Sequence, residues 1–158
     1  AIEEAQKKIT NTKVLESISI KRNNLLNNIF KNIPEAKLIG SWNENEWKVE
    51  KKGISRDDRE AKRLPSNISI WLPDFPSDEM VLRLNEKGFA VSAGSACSAK
   101  SDEYSHVIFN ISKNNFNKAK SQKVARETIR ISIDESIKEV DLERFSKVLK
   151  EIYFKFKK

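Results

Sequence analysis

The hexapeptide Thr128-Ile129-Arg130-Ile131-Ser132-Ile133 is the most regular stretch of this chain. Its isoleucines alternate with polar residues at a period of two. In a strand, Ile129, Ile131 and Ile133 then share one face, and Thr128, Arg130 and Ser132 share the other. A strand of this kind buries one side and shows the other to solvent, as in a small sheet with helices packed against it. Downstream the period becomes helical. Leu142, Phe145, Val148/Leu149, Ile152 and Phe156 make one apolar stripe, and Ser136 with Glu139 has the spacing of a capping box at its start.

Working backwards, residues 67–72 read as a second strand, closed by Pro73 and Pro76. Ser77 is placed to cap the helix that follows, with Asp78 and Glu79 in its first turn. Met80, Val81 and Leu84 would be its buried side and Gly88 its stop. Residues 89–91 read as a short strand, and residues 104–111 and 119–127 as helices. At the other end, residues 2–33 read as one long helix with a weak point near residues 10–12, ended by Pro34. Residues 36–40 are a strand candidate. Residues 41–63 lose all periodicity around Trp42, Trp47 and Gly53, and read as a polar excursion. The order of elements predicts an α/β chain of the α+β two-layer kind, a small sheet covered by helices.

A chain of 158 residues, 38 % of them hydrophobic, is long enough for one core and short for two. No apolar run approaches a membrane span, and AIEEAQKK is not a signal peptide. The net charge is +7, but 22 Lys stand against only 8 Arg, and nothing resembles a dense arginine cluster for phosphates or bases. Basic residues are mildly concentrated at 113–126 and at Lys155, Lys157 and Lys158. They read first as solvated helix faces, next as a surface for an acidic protein partner, and last as a nucleic-acid site. The triplets Asn67-Ile68-Ser69 and Asn110-Ile111-Ser112 match the glycosylation acceptor without a secretory signal beside them. A single free cysteine fits a reducing, cytoplasmic setting.

That cysteine, Cys97, sits in the run Ser92-Ala93-Gly94-Ser95-Ala96-Cys97-Ser98-Ala99-Lys100-Ser101. Small residues on both sides give it nothing to pack against. The pattern predicts a mobile loop over residues 92–103, suited to carrying a thiol between two places. Lys100 favours the thiolate, while Asp102 and Glu103 oppose it. The only histidine, His106, follows nine positions later. It is a candidate acid or base, or a helix-start residue with a local structural role.

Together, Val91-Ser92-Ala93-Gly94-Ser95-Ala96-Cys97-Ser98, Ser105-His106-Val107 and the 128–133 strand resemble the C-terminal part of a cysteine desulfurase. The matching branch has a long mobile cysteine loop. The likeness includes Arg63-Leu64-Pro65-Ser66-Asn67 and Phe89-Ala90-Val91, and it runs nearly the length of the chain. It implies the small domain of a fold-type I, class V aminotransferase-like transferase dependent on pyridoxal 5′-phosphate. Residues 1–33 would then be a linking helix from a large domain that lies elsewhere, and residues 34–158 the small domain. By resemblance, Cys97 takes the sulfur of L-cysteine as a persulfide and Arg130 holds the substrate carboxylate. Gly94, Ser95 and His106 shape the loop or assist it, and Ser95 is a possible cofactor contact across a homodimer. Tyr104 stands where the family often has proline.

The resemblance also marks what this stretch lacks. The Schiff-base lysine beside a histidine, the ring-stacking histidine and most of the phosphate cup belong to the large domain of such enzymes. No lysine here follows a histidine. The expected role is therefore part of a desulfurase that supplies sulfur to an acceptor or iron–sulfur scaffold protein, with this segment alone inactive and without bound cofactor. Alternatives are a stand-alone sulfur carrier accepting persulfide sulfur on Cys97, and a parent enzyme of the selenocysteine lyase type. No direct contact with nucleic acid or membrane is expected.

Overall fold

A computed structural model describes residues 12–40, 64–93 and 104–157. Helix α1 (Thr12–Asn32) leads to strand β1 (Lys37–Ile39), and β2 (Asn67–Trp71) is followed by α2 (Ser77–Glu86) and β3 (Ser92–Ala93). Two short helices, α3 (His106–Ser112) and α4 (Lys118–Arg126), precede β4 (Thr128–Ser132) and the last helix, α5 (Glu139–Phe156). The strands form one antiparallel sheet in the order β1-β2-β4-β3. This is the predicted α+β architecture. The predicted residues 2–11, the excursion at 41–63 and the segment 94–103 lie outside the described residues.

Side-chain alternation sorts the sheet into two faces. Ile68 and Ile70 of β2 and Ile129 and Ile131 of β4 are buried against Leu25 and Ile29 of α1, Met80 and Leu84 of α2, and Phe145 and Leu149 of α5. Each such side chain contributes about 1.5–3 kcal/mol when removed from water. Ile39 and Trp71 point the other way. They are buried in a second cluster with Ile108 of α3 and Val124 and Ala125 of α4. The helices are thus not confined to one layer: a helical hairpin, α3–α4, covers the β1–β2 end of the second face.

Several local expectations are corrected. Ser77 is the first residue of α2 and buried, while Pro76 occupies the N-cap position without a side-chain cap bond. Proline pre-sets the extended backbone that an N-cap needs. Ser136 does not cap α5. Its amide and hydroxyl both donate to Asp134 Oδ1, at 2.8 and 2.6 Å, and the helix begins after Lys138. Aspartate two residues back offers a tighter turn than a capping box. The short strand expected at residues 89–91 falls instead at Ser92–Ala93, so those two residues belong to the sheet and not to the predicted loop. Phe89 and Val91 pack on the main core from irregular backbone. Thr128 is buried, and Phe156 is 42 % exposed while the unpredicted Tyr153 is fully buried. Gly88 does end α2: with φ at +83°, it lets its own amide reach Asn85 O and that of Phe89 reach Leu84 O, the paired bonds of a Schellman motif.

Tyr153 ties three segments together. Its hydroxyl lies 2.6 Å from Glu35 Oε2 and 2.9 Å from Pro73 O, and Lys157 Nζ donates to the same Glu35 oxygen at 2.7 Å. Burial first, then the Glu35 acceptor, pushes the phenol up to about 12. The hydrogen bonds from Lys157 and then Tyr153 hold the Glu35 carboxyl below its ordinary 4.5. A depressed carboxyl stabilises the fold above its unfolded pKa, and that stability is lost as pH falls through the folded value. Tyr153→Phe should therefore lower the urea unfolding free energy at pH 7 by about 1 kcal/mol. The deficit should shrink as Glu35 protonates below pH 4.5; an unchanged midpoint at pH 7 would refute the tie.

Candidate functional site

β4 lies between β2 and β3, and two of its residues, Ile129 and Arg130, have a paired neighbour on both sides. The register sets Arg130 directly opposite Ser69 of β2 and directly opposite Ser92 of β3. Directly paired residues share a face with Cβ atoms about 4.5–5.5 Å apart, so a guanidinium rises between two hydroxyl-bearing positions. The next row pairs Asn67 with Ser132. Arg130 and Ser132 are exposed, while Asn67, Ser69 and Ser92 are half-buried. Among the described residues, Arg130 has no ion pair and no side-chain hydrogen bond.

The α3–α4 hairpin closes the other half of this face. The indole N–H of Trp71 donates to Glu127 Oε2 at 2.8 Å in a buried bond, and the Thr128 hydroxyl donates to Val124 O at 2.6 Å. Those bonds explain why Thr128 is buried despite its place on the polar face. They also commit the Glu127 carboxylate to Trp71, with Lys123 3.9 Å from its second oxygen. Among the described residues, the half of the face that the hairpin leaves uncovered presents one planar cation, flanked by serines. That arrangement suits bidentate capture of a carboxylate or phosphate.

The other predicted site residues fall as follows. His106 opens α3 and is exposed, with its ring centroid 5.9 Å from that of Tyr104. The local helix-start bond belongs to its neighbour, since Ser105 Oγ accepts from the Ile108 amide at 3.4 Å. Gly94, Ser95 and Cys97 lie outside the described residues. What is placed is the base from which they depart: Ser92 and Ala93 are held against Arg130 and Ile129. Ser69 and Ser92 were not singled out as partners of Arg130. Pairing the alternation of residues 67–71 with that of 128–132 was the signal that would have found Ser69.

A cavity of about 310 Å³ lies elsewhere, between α1 and α5, lined by Asn24, Asn27, Asn28, Glu139 and Glu143. Its carboxylates make it a poor place for an anion. Nor does the open sheet face fit a whole pyridoxal 5′-phosphate. No strand residue there offers a carboxylate for a pyridine nitrogen, and its one lysine, Lys37, stands over the Trp71 ring at 5.4 Å. One anionic group fits; an enclosed aromatic ring does not.

The fold has counterparts among solved structures. A NifS-like protein from Rickettsia africae ESF-5 superposes with a TM-score of 0.62 at 20 % identity, over 95 % of this chain and 32 % of that one. A second NifS-like protein superposes with a TM-score of 0.62 at 19 % identity, over 98 % of this chain and 31 % of that one. The chain spans about a third of the length of these structures, and at such identities the likeness is one of fold. No protein-family model matches the sequence, and no curated protein does.

If Arg130 is held out for a ligand and not for stability, neighbouring substitutions in one strand should differ sharply. Ile129→Ala, at a fully buried position, should cost about 2–5 kcal/mol in urea unfolding. Arg130→Gln should change stability by no more than about 0.5 kcal/mol. A large loss on replacing Arg130 would make it a structural residue.

Proposed function

We propose that this chain is the C-terminal part of a pyridoxal 5′-phosphate-dependent cysteine desulfurase. The observation that carries the reading is Arg130, an exposed arginine without an acidic partner among the described residues, on the strand beside the base of the cysteine segment. The NifS-like fold supports it, as does the fraction of those structures that the chain spans. The net reaction moves one sulfur atom: L-cysteine and the Cys97 thiol become L-alanine and a Cys97 persulfide.

In this reading Arg130 binds the carboxylate of L-cysteine through its guanidinium fork and fixes the direction of the substrate. The cofactor supplies the electron sink for breaking the carbon–sulfur bond, and it sits on residues outside this stretch. Cys97 follows Ala93 by four positions, a tether of at most about 14 Å when fully extended. A thiol so attached serves the neighbourhood of Arg130 and then an acceptor. Gly94, Ser95 and His106 take the loop-shaping or auxiliary roles that the resemblance implies, with Ser95 the candidate for a cofactor contact across a homodimeric parent. The recipient is a sulfur-acceptor or iron–sulfur scaffold protein of the cytoplasm. The isolated segment does not catalyse the full reaction.

Two measurements test this. A low-molecular-weight persulfide mixed with the chain should add one sulfur atom, seen by intact mass and lost in Cys97→Ser. Joined to a pyridoxal-phosphate-binding part, Arg130→Lys should lower kcat/KM for L-cysteine by about 10- to 100-fold, the loss expected for a charged bidentate contact. An unaltered kcat/KM would remove Arg130 from the substrate site.

A further inference from the structure

Residues 104–126 contain no aspartate or glutamate, in a chain that has 23 acidic residues among 158. The same stretch holds Lys113, Lys118, Lys120, Lys123 and Arg126. It folds as the α3–α4 hairpin, the one helical element on the second face of the sheet among the described residues. We propose that the exposed side of this hairpin is a docking surface for an acidic protein, the recipient of the Cys97 sulfur. This identification of the recipient rests on the desulfurase reading; the docking surface itself rests on the charge and its mounting.

The five cations are exposed, and three of them stand over aromatic rings. Lys113 Nζ stands 5.3 Å over the Phe109 ring, Lys120 Nζ 4.5 Å over Phe116, and the Arg126 guanidinium 5.8 Å over Tyr104. Those rings pack with Ile108, Val124 and Trp71 in the second core cluster, so the charges are mounted on a rigid base. Of the five, Lys123 is paired with Asp74. Lys113, Lys118 and Lys120 have no acidic partner among the described residues. Asn110, Asn114, Asn115 and Asn117 are exposed among them and add neutral hydrogen-bonding groups. The hairpin also begins nine positions after Cys97, so a partner seated on it would lie near the thiol in sequence.

The chemistry favours a carboxylate-rich protein over other polyanions. Single-stranded nucleic acid binds through exposed aromatic faces on which bases stack, and here those faces are covered by the chain's own cations. Four of the five charges are lysines, compact point charges without the bidentate fork that phosphates select. A membrane surface calls for an apolar anchor beside the charge, and the hairpin's one large exposed hydrophobic residue is Val107.

The test is a nitrogen-15 amide titration of the chain with a poly-L-glutamate of about 20 residues. Parallel arms use an oligothymidylate of equal charge and phosphatidylglycerol vesicles. Saturable shifts should cluster at 106–126, and the triple replacement of Lys113, Lys118 and Lys120 by Glu should weaken binding by about tenfold or more. A Lys→Gln triple should weaken it less, and Lys147→Glu/Lys150→Glu on α5 should leave it unchanged. Raising ionic strength from about 0.1 to about 1 M, which shortens the Debye length from about 10 to about 3 Å, should abolish it. The proposal is overturned if shifts spread over all lysines, if the α5 control weakens binding equally, or if the oligonucleotide or vesicles bind more tightly. Persulfide loading of Cys97 from a small donor separates the two readings. It should survive in the hairpin variants, and its failure in the parent chain would count against the sulfur reading while leaving the docking surface standing.

Discussion

The position of β4 at the centre of the sheet constrains everything around it. A central antiparallel strand has its hydrogen bonds taken on both sides, so its register is fixed by two partners at once. Ile129 and Ile131 add the second constraint, because a slip of one residue would lift both out of the core and drive Arg130 into it. Burying an unpaired guanidinium among isoleucines costs far more than any gain the slip could offer. The strength of the core therefore keeps Arg130 outside.

From that strand the two faces acquire different purposes. One is sealed by α1, α2 and α5, and their contribution is mostly apolar area. The other is divided. Its β1–β2 end is covered by the α3–α4 hairpin, which needs a polar device to sit there because Trp71 brings an indole N–H into the contact. Glu127 accepts that proton donor in a buried bond of 2.8 Å, and Lys123 nearby balances the carboxylate's charge. The hairpin thus stops short of Arg130, and the open rows of Asn67, Ser69, Ser92 and Ser132 remain beside it.

Much of this was legible in the sequence, for reasons that can be named. Long periodic segments such as residues 139–156 and the alternating strands depend on burial, and burial writes itself into the pattern of apolar residues. Caps were legible only in part. Gly88 was predictable because few residues tolerate its positive φ, whereas Ser77 and Ser136 offered plausible caps that the backbone did not use. Both contests were decided locally, by the extended conformation of Pro76 and by Asp134 closing a turn two residues back. Tyr153 was missed since its polar hydroxyl disguised a core position; Glu35 and Pro73 satisfy that hydroxyl from 118 and 80 residues away, beyond the range of any window. The serines flanking Arg130 belong to the same kind. Pairing across strands is a tertiary fact, and only the alternation of each strand separately is written in the chain.

The charge distribution can be weighed in the same way. A basic composition spread over solvated helices says little, because exposed lysines mostly find water or an i+4 carboxylate. Residues 104–126 differ in having no internal acid to answer them. Three of their five cations rest on the chain's own aromatic rings, which stiffens those side chains and lowers the entropy lost when a partner arrives. The hairpin's inner surface is spent on Trp71 and Ile39, and its outer surface is left with positive charge. Fold and composition therefore separate two cationic features on the same face of the sheet: a single arginine between serines on β4, and a broad lysine surface on the hairpin.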